Sequence, residues 1–266
     1  MGIVNVTPDS FSDGGDLYAN AQLDLSKTLG VIEKMLNDGA DIIDIGGEST
    51  RPGASSVSAQ QELDRVLPVL ESVIERFDTL VSVDTSTAAV MTEAAKKGAS
   101  LINDVRALTR EGALAAAAMT QLPVCLMHMQ NQPQTMQNEP TYTDVVAEVL
   151  AFLAERKNSC MTAGIDSKKI ILDPGFGFGK TLAHNLTLFS AIDQFVGTGH
   201  PVLVGVSRKA MIGQMLGLEH TEQRLMGSVA LALLAAQRGA AILRVHDVLE
   251  TKQAIDVWQT TIKDED

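Results

Sequence analysis

The sequence predicts an α/β fold, a single (β/α)8 TIM barrel in which outer helices surround an eight-stranded parallel barrel. Eight short runs of strand-forming residues recur along the 266 residues, which leaves about 33 residues for each unit. One strand with its crossover helix needs roughly 30 residues. Segments with apolar residues at helical spacing separate the runs, and alternating strands and helices imply a parallel sheet. Eight such units are the number that closes a barrel.

The eight strands are predicted at Met1–Val6, Asp41–Gly46, Leu80–Asp84, Ser100–Val105, Pro123–His128, Lys169–Asp173, Pro201–Ser207 and Ala241–His246. A doubly wound open sheet is the alternative fold, and it would carry a glycine fingerprint directly after its first strand. The loop that follows here, Thr7–Gly15, is too long and too poor in glycine for that fingerprint. No low-complexity segment or linker divides the chain, so we predict one domain over residues 1–266.

Composition and charge exclude several classes of partner. A net charge of −12 argues against a nucleic-acid or anionic-membrane partner, because both need a basic face. The hydrophobic content of 45% with only 4% aromatic residues indicates a sizeable aliphatic core. Cys125 and Cys160 have no disulfide or metal-ligand spacing, and we expect Cys125 to be buried. The sequence shows neither a signal peptide nor a transmembrane run, so we expect a cytoplasmic protein.

Hydrogen-bonding side chains lie at, or directly after, the carboxyl end of each predicted strand. In a barrel these ends converge on one mouth, where the active sites of this fold lie. Single members have structural explanations, since Asp84 could cap a helix and His128 could be a hydrogen-bonded core residue. Polar groups at every strand end are harder to explain in that way, because each is costly to bury without a partner. The set comprises Asn5, Glu48, Ser49, Thr50, Arg51, Asp84, Asn103, Asp104, His128, Asp173, Ser207, Arg208, Lys209, Arg244 and His246.

Most of these side chains divide into two chemical sets. Carboxylates, an amide and one cation suit a flat heterocycle with N–H donors on one edge and a carbonyl on another; this set is Asp84, Asn103, Asp173 and Lys209. Neutral and cationic groups suit an anion such as phosphate or pyrophosphate; this set is Asn5, Thr50, Arg51, Arg244 and His246. The sequence therefore predicts one substrate with two differently charged parts.

A glycine-rich segment follows the sixth predicted strand. Asp173 ends that strand, and Pro-Gly-Phe-Gly-Phe-Gly leads from it to Lys180, so that backbone can approach a ligand closely. A strand-to-helix turn with a capping Asp is the alternative. The segment is not a Walker phosphate loop, because Pro174 occupies the position of that motif's first glycine. We expect a thin wall against which a flat ring and Phe178 pack.

Other catalytic motifs are missing from the sequence. No HExxH or comparable His/Cys cluster indicates a zinc site, and no GxSxG elbow indicates an acyl-transfer nucleophile. Two connections from strand to helix are long, at Thr7–Asp24 and Gly47–Ala59, and Gln130–Tyr142 is a third candidate. Loops beyond about 12 residues are usually lids or binding loops, so we expect these connections to be mobile and to border the site.

The strand-end motifs resemble those of the dihydropteroate synthase family, the pterin-binding enzymes of folate synthesis. They appear in the family's order, span nearly the whole chain, and include several that are long enough to be specific. The matching segments are Asn5–Gly15, Gly47–Gly53, Ser82–Asp84, Asn103–Val105, Asp173–Lys180, Ser207–Lys209 and Arg244–Asp247. Family members usually carry a short extension before the first strand, so we expect the bottom of this barrel to be less covered.

The resemblance implies a transferase that condenses 6-hydroxymethyl-7,8-dihydropterin pyrophosphate with 4-aminobenzoate. The products would be 7,8-dihydropteroate and pyrophosphate, and sulfonamides would occupy the 4-aminobenzoate pocket. A Mg²⁺ ion near Asn5 is the expected cofactor, small molecules are the expected partners, and a homodimer is the expected assembly. Pyrophosphate is expected to leave before the amine attacks, so that the Asp84 and Asp173 carboxylates stabilise a cationic pterin methylene.

The resemblance also implies a role for each matching residue. Pterin would be bound by Asp84, Asn103, Asp173, Lys209 and Arg244. Pyrophosphate would be bound by Asn5, Arg244 and His246. The 4-aminobenzoate pocket would be shaped by Thr50, Arg51, Phe178 and Ser207. The residues expected to carry catalysis are Lys209, Asp173, Asp84 and Arg51.

Two other functions compete with this interpretation. A methyltetrahydrofolate-binding methyltransferase shares a pterin-binding barrel with similar acidic and amide residues. It would not be expected to have the Gly47–Gly53 loop or Ser207–Lys209, and both are present. A catalytically silent homologue would show erosion of the two long-loop motifs, which are intact here.

Overall fold

The structure, a computed structural model, describes residues 1–7, 17–19, 22–49, 57–131, 136 and 140–262. Within these ranges, strands form at all eight predicted positions. Their bounds are β1 Gly2–Asn5, β2 Ile42–Gly46, β3 Leu80–Asp84, β4 Leu101–Asp104, β5 Val124–Met127, β6 Ile170–Asp173, β7 Leu203–Val204 and β8 Ile242–Leu243.

Parallel pairing joins these strands into a ring. It runs continuously from β1 to β6, and again between β7 and β8. Two further parallel bridges connect the two sheets, between Leu172 and Val202 and between Gly2 and Val245. The Ile3 amide donates to the Val245 carbonyl at 3.0 Å, which ties the last strand to the first. The TIM-barrel prediction is therefore confirmed.

Helices alternate with the strands around this ring. Their bounds are α1 Leu25–Asn37, α2 Ala59–Arg76, α3 Ala88–Lys96, α4 Ala113–Thr120, α5 Val145–Thr162, α6 Leu182–Ser190, α7 Ile192–Val196, α8 Ala210–Leu216, α9 Leu225–Gln237 and α10 Val248–Ile262. A capping box of Ser58 and Gln61 starts α2 after the second long connection. A short hairpin, Tyr18–Ala19 with Gln22–Leu23, precedes α1 and was not predicted. No helix in the described ranges is long and apolar enough to cross a membrane.

The inside of the barrel changes from apolar to polar along the strands. Leu101, Cys125 and Leu203 form a buried cluster near the amino ends, with Cys125 buried as predicted. Alternate residues of a strand face the same side, so Asn103 follows Leu101 into the interior of the barrel, two residues nearer the carboxyl end. The apolar cluster therefore fills the lower end of the barrel and leaves the polar side chains at the mouth.

Candidate active site

A cavity of about 680 Å³ opens at the carboxyl ends of the barrel strands. The family resemblance assigns roles to eleven residues, and the nine of them that the structure describes all line this cavity. They are Asn5, Asp84, Asn103, Asp173, Phe178, Ser207, Lys209, Arg244 and His246. Thr50 and Arg51 lie outside the described residues. The described part of the predicted site is thus one connected space.

Arg244, which follows β8 directly, lies among carboxylates. Its Nε donates to Asp44 Oδ2 at 2.6 Å, and its Nη2 donates to Asp84 Oδ2 at 2.9 Å. The Asn103 side chain donates to the same Asp44 oxygen at 3.3 Å. Asp44 is fully buried in the middle of β2 and was not among the predicted site residues. The sequence placed Arg244 in the anion set because of its charge. Its contacts in the structure also place it with the residues of the heterocycle set.

Strand register explains why these groups meet. Gly46 pairs with Asp84, and Asp84 pairs with Asn103, so β2, β3 and β4 present them at one level. Burial raises the pKa of Asp84 to about 8; Arg244 opposes this shift, and the neighbouring Asp44 carboxylate adds to it. Arg244 is thus the group that favours the ionised form of Asp84 against the effect of burial.

Asp173 and Lys209 bring opposite charges to another part of the cavity. Burial raises the pKa of Asp173 above its usual value, and Lys209 only partly opposes this shift. Asp173 Oδ1 accepts the Gly175 backbone N–H at 2.7 Å. Lys209 Nζ donates to the Phe176 carbonyl and lies 4.6 Å from the centre of the Phe178 ring. The Lys209 ammonium thus lies close to an aromatic ring and acts electrostatically on the Asp173 carboxylate.

The glycine-rich segment packs against the backbone at the end of β5. Gly175 has φ +72°, and a Cβ there would lie 1.8 Å from the His128 carbonyl oxygen. A Cβ on Gly179 would lie 2.7 Å from the Gln130 carbonyl oxygen. Side chains at either position would therefore collide with the neighbouring chain. The segment is a thin wall, but at these two glycines it approaches protein backbone rather than a ligand.

Lys180 holds this wall in place, a role that the sequence does not reveal. Its side chain is buried, and its Nζ donates to the carbonyls of Gly175, Phe178 and His128 at 2.8, 2.9 and 3.3 Å. The His128 Nδ1 lies 3.0 Å from the same ammonium. Burial lowers the pKa of His128 to about 3, and Lys180 acts in the same direction, so the neutral imidazole can accept this contact. His128 belongs to the wall and does not line the cavity.

Ser207 connects β7 with the segment after β8. The His246 backbone N–H donates to Ser207 Oγ at 3.1 Å, and the His246 Nδ1 lies 3.0 Å from that oxygen. These contacts hold the imidazole by one nitrogen at the edge of the cavity. Ser207 therefore joins the part of the site predicted for an anion to the part predicted for a second substrate.

Glu48 lines the cavity and belongs to a buried ion network that was not predicted. It accepts two hydrogen bonds from Arg106, at 2.8 and 3.2 Å, and one from Arg110 at 3.0 Å. Only 6% of the Glu48 side chain and 4% of the Arg106 side chain are exposed. This bidentate pair fixes the point at which the second long connection leaves the barrel. The only sequence signal is a pair of arginines four residues apart after β4.

Comparison with protein families assigns the chain to one of them. A family model described as "Pterin binding enzyme" matches residues 1–246. The chain therefore belongs to the pterin-binding enzymes. The match includes all eight barrel strands and the nine described site residues.

Three relatives define the branch of this family. The chain is 55% identical to the dihydropteroate synthase of Haemophilus influenzae over 98% of this chain and 93% of that protein. A crystal structure of the Yersinia pestis dihydropteroate synthase in a sulfonamide drug complex is 53% identical, with a TM-score of 0.94 over 98% of this chain and 93% of that one. The Xanthomonas albilineans dihydropteroate synthase with 4-aminobenzoic acid is 49% identical, with a TM-score of 0.90 over 98% and 91%. The branch is that of the dihydropteroate synthases, which are transferases.

Proposed function

We propose that the protein condenses 6-hydroxymethyl-7,8-dihydropterin pyrophosphate with 4-aminobenzoate, giving 7,8-dihydropteroate and pyrophosphate for folate synthesis. The observation that carries the proposal is one cavity in which Asp84, Asn103 and Asp173 meet Lys209 and Arg244. The relatives support it, because the Yersinia pestis enzyme is seen with a sulfonamide drug and the Xanthomonas albilineans enzyme with 4-aminobenzoic acid.

The pterin is recognised by its edges and by one face. The Asp84 and Asp173 carboxylates accept its N–H donors, and the Lys209 ammonium donates to a ring acceptor. Arg244 lies against the ring as a cation on a π face. Asn103 completes the set with an amide. Buried polar groups of this kind reject ligands that cannot pair with them, which favours a pterin over an apolar ring.

The chemistry follows from the charges around the ring. The C–O bond to the leaving group breaks, and its electron pair passes to pyrophosphate. The Asp84 and Asp173 carboxylates stabilise the cationic methylene that remains. The nitrogen of 4-aminobenzoate then forms the new C–N bond and releases a proton. An aryl amine is already a usable nucleophile, so no strong general base is required.

The leaving pyrophosphate is bound by Asn5, Arg244 and His246. In the ranges that the structure describes, no group of three or more His, Cys, Asp or Glu could hold a metal ion. A Cβ on Gly46 would lie 3.6 Å from Asn5 Oδ1 and 3.8 Å from Asp84 Oδ2, so both oxygens lie beside Gly46 at the end of β2. Mg²⁺ commonly binds through one or two protein oxygens together with substrate phosphates. The Asn5 amide oxygen would be a ligand for a Mg²⁺ ion, and the ion would neutralise charge on the leaving group.

The second substrate, 4-aminobenzoate, occupies the part of the cavity next to Phe178 and Ser207. Thr50 and Arg51, which the resemblance assigns to the same pocket, lie outside the described residues. A homodimer is supported by α9, because Met226 and Leu234 on this helix are 74% and 41% exposed. The cytoplasmic location stays a prediction.

A coupled assay for pyrophosphate release tests the proposed reaction. We expect release that depends on both substrates, with 7,8-dihydropteroate formed in equal amount. A sulfonamide should raise the apparent KM for 4-aminobenzoate without changing the maximal rate. Pyrophosphate release without dihydropteroate would indicate a hydrolase, and failure of the sulfonamide to compete would indicate a different second substrate.

Lys209 is expected to make the reaction sensitive to alkaline pH. Burial lowers the pKa of Lys209 from 10.5 to about 8, although Asp173 opposes this shift. The ammonium therefore loses its proton above about pH 8, and kcat/KM for the pterin substrate should fall as pH rises through that value. The free energy of unfolding changes in the opposite direction to the rate. Lys209 keeps its proton up to about pH 10.5 in the unfolded chain but loses it above about pH 8 in the folded protein. The free energy of unfolding should therefore gain a contribution between about pH 8 and 10.5.

Lys209→Arg is the control for this pH dependence, since its guanidinium stays charged over the whole range. We expect the alkaline limb of the pH–rate profile to disappear or to move upward in this variant, even if its rate is lower. An unchanged alkaline limb would assign the proton loss to another group.

A further inference from the structure

We infer that Asp44 is a positioning residue for pterin recognition, which fixes the orientation of Arg244 and of the Asn103 amide from beneath the cavity. The inference rests on the proposed function, since it concerns how that site recognises its ring. Asp44 lies outside the strand-end motifs and was not among the predicted site residues.

Its place in the barrel puts Asp44 out of a ligand's reach. It lies in the middle of β2, is 0% exposed, and is not part of the cavity lining. Ile3 of β1 and Ser82 of β3 pair with it. A carboxylate at this depth is costly unless donors face it, so its partners indicate its role.

The first partner is Arg244, which two different carboxylates hold at two nitrogens. Nε bonds to Asp44 at 2.6 Å, and Nη2 bonds to Asp84 at 2.9 Å. Asp84 lines the cavity, so a bound heterocycle competes with Arg244 for its oxygens. Asp44 meets no such competition. Its bond is therefore the one that keeps the guanidinium in place when the ring is bound.

The second partner is the Asn103 amide. An ionised carboxylate can only accept hydrogen bonds, so Asn103 must turn its Nδ2 towards Asp44, at 3.3 Å. The carbonyl Oδ1 is then the atom that this amide offers to the cavity. An acceptor at this position selects an N–H of the ligand and disfavours a carbonyl. Asp44 thus contributes to specificity without touching the ligand.

Neutralising the buried charge of Arg244 is the alternative role for Asp44. The two roles differ in what an uncharged replacement does. Asparagine keeps an acceptor oxygen at the position of Oδ2, whereas alanine removes it. Asp44 Oδ1 has no hydrogen-bond partner among the described residues, so an amide nitrogen placed there disturbs no described bond. Positioning predicts that asparagine retains most of the affinity that alanine loses, and charge neutralisation predicts equal losses.

The experiment compares wild type, Asp44→Asn, Asp44→Ala and, as matched control, Ser82→Ala. Ser82 is 0% exposed at the paired position of β3, and its hydroxyl has no hydrogen-bond partner in the described structure. Calorimetry with 6-hydroxymethylpterin gives the dissociation constant, and steady-state kinetics give KM for each substrate. We expect Asp44→Ala to weaken pterin binding about 10- to 100-fold and Asp44→Asn by less than about 10-fold. The KM for 4-aminobenzoate and the Ser82→Ala values should stay near wild type.

Equal weakening in Asp44→Asn and Asp44→Ala, or a parallel rise in both KM values, would overturn the inference. Should Asp44→Ala not fold, the near-isosteric Asp44→Leu replaces it. Should neither variant fold, Asp44→Asn alone decides. A loss of pterin affinity above about 10-fold in this variant overturns the positioning role, and a smaller loss without a change in the KM for 4-aminobenzoate supports it. Failure of the wild type to bind 6-hydroxymethylpterin or to release pyrophosphate would count against the proposed function instead.

Discussion

Replacing Asp173 or Lys209 with alanine is expected to lower dihydropteroate formation at least about 100-fold. In the proposed mechanism Asp173 supplies negative charge where the pterin becomes cationic, and Lys209, which lies beside Phe178, binds the same ring. Both side chains lie at the cavity, above the apolar cluster that fills the lower end of the barrel. The variants should therefore fold, and initial rates of pyrophosphate release and dihydropteroate formation measure the loss.

Matched controls for these variants lie just before β6. Asp166 and Lys168 are exposed, and the Asp166 carboxylate only caps a short turn. Alanine at either position should leave turnover near wild type. Turnover near wild type in Asp173→Ala or Lys209→Ala would contradict the roles assigned to them, whereas losses in the controls would indicate damage to the fold.

Replacing Lys180 with methionine is expected to destabilise the protein and to raise the KM for 4-aminobenzoate. The carbonyls of Gly175, Phe178 and His128 would lose their shared donor. A buried acceptor without a partner costs about 1–3 kcal/mol. Removing an ammonium whose pKa burial already lowers offsets part of that cost. The net loss in the free energy of unfolding should be about 2–4 kcal/mol.

The KM effect follows because Phe178 belongs to the wall that Lys180 holds. Chemical denaturation and steady-state kinetics with both substrates measure the two consequences. Lys169→Met is the control, since Lys169 lies on a more open surface and bonds to one carbonyl, that of Gln121. If Lys180→Met and Lys169→Met have the same free energy of unfolding and the same KM for 4-aminobenzoate, Lys180 does not organise the wall.

The sequence predicts which site residues lie together wherever one general rule of the fold determines their positions. In a parallel barrel the carboxyl ends of the strands meet at one mouth, so residue type and strand order were enough to bring Asn5, Asp84, Asp173 and Arg244 together. The eight strands could be placed within a few residues of their observed bounds because runs of strand-forming residues alternate with segments of helical apolar spacing. Neither result required knowledge of any particular contact.

The sequence does not predict contacts with backbone groups that are distant along the chain. Gly175 is required because the His128 carbonyl lies where its side chain would be, 47 residues earlier in the chain. Lys180 looked like part of a failed phosphate loop because its acceptors are backbone carbonyls, which carry no sequence signal. Asp44 was missed since an acidic residue inside an apolar strand reads as a break in the pattern rather than as a buried partner.

The hydrogen bonds of Arg244 also determine at which stage of synthesis and folding the site becomes complete. Arg244 follows Asp44 by 200 residues and Asp84 by 160. A chain is synthesised from its amino terminus, so both carboxylates exist long before their shared cation. We therefore expect pterin affinity to appear only when the eighth strand docks beside the first. A ligand that binds the closed ring alone also stabilises it by mass action, so substrate binding and the last step of assembly favour each other.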